Sequence, residues 1–152
     1  MPSPLGPIIP HYMARRERSA GFVLFQSTRP RRYLLLDYGR HWDYPKGHLK
    51  KDETNLEAAT RELREETGLE AARVIPHFAH KIRYFFRSGK KLVDKSVVFF
   101  LAESEGEEVQ LSDEHVGYAW LVYESALDRL TYPNAREILR LAEVHLTKLE
   151  NA

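Results

Sequence analysis

Between Gly47 and Leu69 the chain reads GHLKKDETNLEAATRELREETGL, and this stretch constrains the fold more tightly than any other. Thr54 and Glu57 stand at capping-box spacing, where two orphan backbone donors at a helix start can be satisfied. Asp52 and Glu53 place negative charge near the positive end of that helix. Leu56, Ala59 and Leu63 recur at three- and four-residue intervals and make one apolar face. Gly68 falls where a left-handed C-terminal cap belongs. These signals predict a helix over 54–67. Its other face carries Glu62, Glu65 and Glu66 on neighbouring turns, and carboxylates at this spacing repel one another. Arg61 can offset the repulsion by pairing with Glu57 or Glu65, and a divalent cation can do so by binding several oxygens at once. Hard oxygen donors in a chain without cysteine point to Mg²⁺, or Mn²⁺, rather than zinc. Taken by itself, the helix also fits a plain solvated acidic face.

A chain of 152 residues is long enough for one domain with a real core. Hydrophobic residues at 43% against 30% charged give a soluble, globular balance. The net charge of +1 provides no global basic field, so a nucleic-acid partner is not expected. Charge is uneven, however. Basic residues gather at 15–18, 29–32 and 81–95, and acids in the helix and at 103–108. A positive wall opposite an acidic face suits a polyanionic substrate; ordinary surface charge is the alternative, chiefly for the N-terminal arginines. Without cysteine there is no disulfide framework and no thiolate metal site. The longest apolar run, Val97 to Ala102, is far too short to span a membrane. Met1–Pro10 is broken by four prolines and lacks a charged start, so it does not read as a signal peptide. A cytoplasmic location is the expectation.

The elements alternate. Residues 1–18 read as an N-terminal arm and 19–152 as the domain. Ala20–Gln26 and Arg32–Asp37 read as strands around a turn containing Pro30. A strand lies within 73–86, a hairpin loop at 87–91, a second strand at 95–103 and a further one at 118–122. A short helix is expected at 123–130. A long one is expected at 134–149, with a stripe of Ala135, Ile138, Leu139, Ala142, Leu146 and Leu149 and with His145 at its edge. Strands mixed with helices predict an α/β or α+β sandwich.

Written as a pattern, the opening segment is G-x(5)-E-x(7)-R-E-L-x-E-E-x-G-L. Seven fixed positions at about 6–7% each, together with two aliphatic slots, occur by chance on the order of once per billion start points or less. The segment resembles the signature of the Nudix hydrolases. The resemblance implies the Nudix fold, an α/β/α sandwich with a mixed central sheet and the signature as loop–helix–loop, and an enzyme that cuts phosphoanhydrides. It further implies that Glu62, Glu65, Glu66 and the carbonyl of Gly47 bind Mg²⁺, with Glu114 near the metal. Glu66 or Glu114 is then the general base. Arg61 orients a signature glutamate, and Glu53 supports the loop.

The flanking segments bear on substrate. His41-Trp42-Asp43-Tyr44-Pro45-Lys46-Gly47-His48 and Leu111–Leu121 resemble the corresponding segments of the asymmetric diadenosine tetraphosphate hydrolases, a group within that family; Asp43-Tyr44 departs from the usual pair before the proline. The resemblance runs from about Ala20 to Leu149. It implies a dinucleoside polyphosphate substrate split asymmetrically into a nucleoside triphosphate and a monophosphate. Lys46, His48, Lys81 and Lys95 are the candidate phosphate clamps. Tyr84 and Tyr132 are candidates to stack on a base, with core packing the alternative for Tyr84. Trp42 is either a ligand contact or a packing aromatic. His115 reads equally as structural or functional. Removal of pyrophosphate from an RNA 5′ end, hydrolysis of diphosphoinositol polyphosphates or of nucleoside triphosphates, and a non-catalytic nucleotide sensor are the other readings. Oligomeric state is not fixed by these features.

Overall fold

The computed structural model describes residues 14–152. The greater part of the expected N-terminal arm, residues 1–13, lies outside the described residues. The strands are β1 (Arg15–Gln26), β2 (Arg32–Asp37), β3 (Trp42–Asp43), β4 (Lys46–His48), β5 (Ala71–Ser88), β6 (Lys91–Ser104) and β7 (Gly117–Val122). The helices are α1 (Asn55–Thr67), α2 (Tyr123–Arg129) and α3 (Pro133–Glu150). Arg15–Arg18, which carry no apolar alternation to announce a strand, nevertheless continue β1 opposite Val93–Ser96.

The sheet is mixed, in the order β3-β2-β1-β6-β5. β1 and β6 run parallel, and β5 pairs antiparallel with β6. β7 pairs antiparallel with β2. Both faces of the central strands are apolar because both are covered. Val23, Phe25, Val97, Phe99 and Leu101 pack with α2 and α3. Ala20, Phe22, Leu24, Leu34 and Leu36 pack with Ala58, Ala59 and Leu63 of α1. The result is the expected α/β/α sandwich.

One irregularity places the site. β1 meets β2 only at Phe25–Tyr33 and Gln26–Arg32. Further back, Ser19–Gly21 pair instead with β4. The approach is so close that a Cβ on Gly21 would collide with the carbonyl oxygen of Pro45 and with Lys46. Lys46, Gly47 and His48 are thereby wedged into the sheet beside α1.

α1 begins and ends as its sequence requires. Thr54 Oγ1 accepts from the Glu57 N–H, and the Glu57 carboxylate accepts from the Thr54 N–H, both at 3.1 Å. Gly68 takes the left-handed conformation (φ 73°) and its N–H donates to the Arg64 carbonyl. The buried face, however, is Ala58, Ala59, Leu63, Glu66 and Thr67. Leu56, expected on that face, is 41% exposed; at the first turn the sheet surface lies on the side of Ala58 and Ala59, so Leu56 faces out. In α3 the stripe from Ala135 to Leu146 is buried, whereas Leu149 is 46% exposed because the last turn overhangs the core. His145 sits at the helix edge, 3.0 Å from the Pro76 carbonyl. Tyr44, fully buried, donates its hydroxyl to the Ala135 carbonyl and ties the segment before β4 to α3. Among the described residues, no helix is long and apolar enough to cross a membrane.

Candidate active site

The acidic face of α1 is organised by Arg61. Its guanidinium meets Glu53 at 2.7 and 2.9 Å, Glu62 at 2.8 Å, Glu65 at 3.0 Å and the His48 carbonyl at 2.9 Å. A planar fork of five donors can span that set, and a lysine cannot. Of the two partners expected from helical spacing, Glu65 is engaged; Glu57 is committed to the cap. Arg61 holds the Glu53 carboxyl down to about 2. Glu53 also accepts from the Lys50 N–H at 2.9 Å, so it locks the loop to the helix.

Glu62, Glu65 and Glu66 line one cavity of about 580 Å³, and Ser112, Asp113 and Glu114 form its far rim. Glu62 lies directly against Gly47: a Cβ at that position would overlap its carboxylate. Burial raises the Glu62 carboxyl, opposed by Arg61. Glu66 is 3% exposed. Burial, then repulsion from Glu62, pushes its carboxyl up to about 8, against the pull of the Lys46 N–H. That N–H donates to Glu66 Oε1 at 2.8 Å. Glu66 Oε2 lies 2.9 Å from His115 Nε2, but the approach is not aligned as a hydrogen bond. His115 Nδ1 is 3.0 Å from Ser112 Oγ, and its ring stands edge-on to Tyr38 at 4.5 Å. His115 thus packs behind the acidic helix, and sequence gave no sign of the contact.

Among the described residues, no three His, Asp or Glu side chains stand together as a ready-made metal site. Arg61 Nη1 donates to both Glu62 and Glu65 and orients their carboxylates. The donor set still fits a hard divalent cation. Hard oxygens share one cavity, and two of the carboxyls are raised by a burial and repulsion that a cation would offset.

A second cavity, of about 650 Å³, adjoins the first. Ile82, Tyr84 and Phe86 of β5 form one wall, and His41, Tyr132 and Asn134 face them. The rings of Tyr38 and His41 stack at 4.9 Å, and His41 lies 5.4 Å from Tyr132. Tyr84 and Tyr132, proposed from sequence as base-stacking residues, are therefore brought together. Lys46 and Lys95 line both cavities. Burial and the proximity of Lys46 lower the Lys95 ammonium. His48 lines the acidic cavity, 3.4 Å from Lys95 Nζ.

Two sequence candidates lie elsewhere. Lys81 pairs with Val98 and, one residue out of phase with Ile82, faces the opposite side of the sheet, where it lines a shallow cavity with Arg16 and Arg18. Trp42 packs on the core beneath the Arg129 guanidinium at 4.8 Å and lines neither cavity. Its neighbour His41 lines the aromatic cavity instead. Reading His41 from the sequence required knowing which way the two-residue strand β3 faces.

The loop–helix–loop with its clamped glutamates, set on a mixed sheet between helices, is the framework of a phosphoanhydride hydrolase. The chain matches the NUDIX domain family over residues 12–142 and belongs to it. It is similar to the mouse protein bis(5′-nucleosyl)-tetraphosphatase [asymmetrical], with 37% identity over 115 residues, covering 71% of this chain and 76% of that one. The Caenorhabditis elegans protein of the same name is 31% identical over 129 residues, covering 81% and 91%. Among solved structures, a C. elegans Ap4A hydrolase binary complex superposes with a TM-score of 0.77 at 28% identity, covering 87% of this chain and 98% of that one.

Proposed function

We propose that this Nudix enzyme hydrolyses dinucleoside polyphosphates, splitting diadenosine tetraphosphate asymmetrically into ATP and AMP with Mg²⁺ as its cofactor. The observation that carries the reading is the pair Lys46 and Lys95. They line both the carboxylate cavity and the aromatic cavity, so a continuous path joins a stacking site to a hydrolytic site. A phosphate chain suits that path and an isolated base does not. The mouse and nematode relatives carry the same activity in their names.

One base stacks between Tyr84 and Tyr132, worth about 1–3 kcal/mol by analogy with other base-stacking sites. Lys46 and Lys95 hold the phosphates that follow and stabilise charge on the transferring group. Glu62, Glu65 and Glu66, with the Gly47 carbonyl, would hold Mg²⁺, which when bound neutralises phosphate charge and acidifies water. Glu66 has one oxygen fixed by the Lys46 N–H and the other beside His115, so it is a positioned carboxylate. Glu114, exposed on the cavity rim, is the better candidate to take the proton of the attacking water. No covalent intermediate is needed.

The purified protein with Mg²⁺ should release ATP and AMP in equal amounts from diadenosine tetraphosphate. The comparison substrates are a 5′-triphosphorylated RNA, a diphosphoinositol polyphosphate and a nucleoside triphosphate. Faster turnover on any of these would overturn the substrate assignment. Binding of the dinucleotide without turnover would identify a sensor instead.

A further inference from the structure

We infer that the Ser19 hydroxyl is a substrate-binding donor, aimed at a phosphate oxygen in the carboxylate cavity; the inference rests on the phosphoanhydride reading above. Ser19 is 2% exposed, and its Oγ has no hydrogen-bond partner among the described residues. Buried hydroxyls are nearly always paired, and an exception in a native fold calls for a physical reason. Here Ser19 is one of the residues that line the carboxylate cavity, with its Oγ just beneath the surface. Ser19 sits in the middle of the sheet, between His48 of β4 and Val97 of β6.

Its surroundings specify the ligand chemistry. Lys46, His48 and Lys95 line the same cavity from β4 and β6. The two ammonium groups and the serine O–H are donors suited to non-bridging phosphate oxygens, whereas the carboxylates across the cavity can only accept when ionised. The lysines end long flexible stems and supply charge. Ser19 has one rotor on a strand held on both sides, so it supplies direction. Ser19 begins the buried part of β1, which runs on from Ala20 to Phe25, and an alanine at 19 would satisfy the strand without leaving an orphan oxygen. A serine serving the fold alone would therefore be a poor choice, and stability and ligand binding should respond to its loss in opposite ways.

Ser19→Ala tests this on two axes. The melting temperature of the free variant is expected to equal or exceed that of the natural protein, since a buried hydroxyl without a protein partner is removed. Affinity for a methylene-bridged, non-hydrolysable ATP analogue with Mg²⁺ is expected to fall roughly tenfold to hundredfold, the loss typical of a hydrogen bond to a charged acceptor. Adenosine, which has no phosphate, should bind both proteins alike. Unchanged affinity for the analogue would overturn the inference, as would an equal loss for adenosine. Turnover of diadenosine tetraphosphate by the natural protein is measured separately. Failure of the substrate reading then shows in the unmutated enzyme, and failure of the Ser19 assignment shows in the ratio of variant to natural affinity.

Discussion

The carboxylate of Glu62 packs directly on the Cα of Gly47, leaving no room for a side chain at that position. Gly47→Ala should therefore act on chemistry more than on folding. The long Glu62 side chain can swing aside at little cost to the core, but it leaves the place where it could act with Glu66. Displacement of a reacting group by about 1 Å costs about a hundredfold in rate. The expected outcome is a melting temperature close to the natural one and turnover down by about two orders of magnitude. A variant that is active, or one that is inactive only because it is unfolded, would show that Gly47 has another role.

Glu66 provides a pH signature in the metal-free protein. Its carboxyl, ordinarily at 4.5, is pushed up to about 8 in the folded state. The folded state thus holds this proton more tightly than the unfolded chain does. The associated stability is complete below 4.5 and is lost as pH rises through 8. Melting scans in chelator should show a falling contribution across that window. Added Mg²⁺ should raise stability most at the alkaline end, where the carboxylate is ionised. Glu66→Gln should flatten the alkaline loss while abolishing turnover; an unchanged slope would assign the titration to another group.

Arg61 touches Glu53, Glu62, Glu65 and the His48 carbonyl at once. Lysine keeps the charge but cannot span these partners. Arg61→Lys should lower turnover by about 10- to 100-fold, as expected when the residue that orients a site's carboxylates is lost. It should also raise the Mg²⁺ concentration needed for half-maximal rate. A Mg²⁺ titration of kcat separates this from simple loss of charge, which Arg61→Ala would measure.

Lys95 and Lys81 both belong to the basic β5–β6 hairpin, yet the sheet sends them to opposite faces. Lys95→Ala should raise KM for the dinucleotide at least tenfold, the effect of losing one charge-assisted hydrogen bond. Lys81→Ala should leave KM within about twofold, as for a surface substitution outside the site. Steady-state kinetics on the pair checks the placement, and equal effects would refute it.

The two lysines also show where sequence reasoning stops. Within α1 everything needed was local: Thr54 and Glu57 fix the start, Gly68 the end, and Glu62, Glu65 and Glu66 share a face because the helical period puts them there. Leu56 shares the period of Ala59 and Leu63 yet faces out, since the period does not say which flank of a first turn meets the sheet. In β5 the alternation was equally clear, but alternation names two faces without saying which one borders the site. Lys81 and Tyr84 are close in the chain, but a strand sends such odd-spaced neighbours to opposite faces. Trp42 packs on the core while its neighbour His41 lines the aromatic cavity, a choice that adjacency in the chain does not make.

Spacing within a few turns was enough for α1, its caps and its carboxylate face, and the likeness of that segment to the Nudix signature implied phosphoanhydride cleavage. The tertiary structure alone decided which distant residues meet that face. Gly21 admits β4 against β1 and so delivers Lys46 and Gly47 to the glutamates. The loop after β6 carries His115 to within 2.9 Å of Glu66. The sheet register sets Ser19 and Lys95 into the cavity and turns Lys81 away. These contacts join residues tens of positions apart, and only strand pairing and packing fix them.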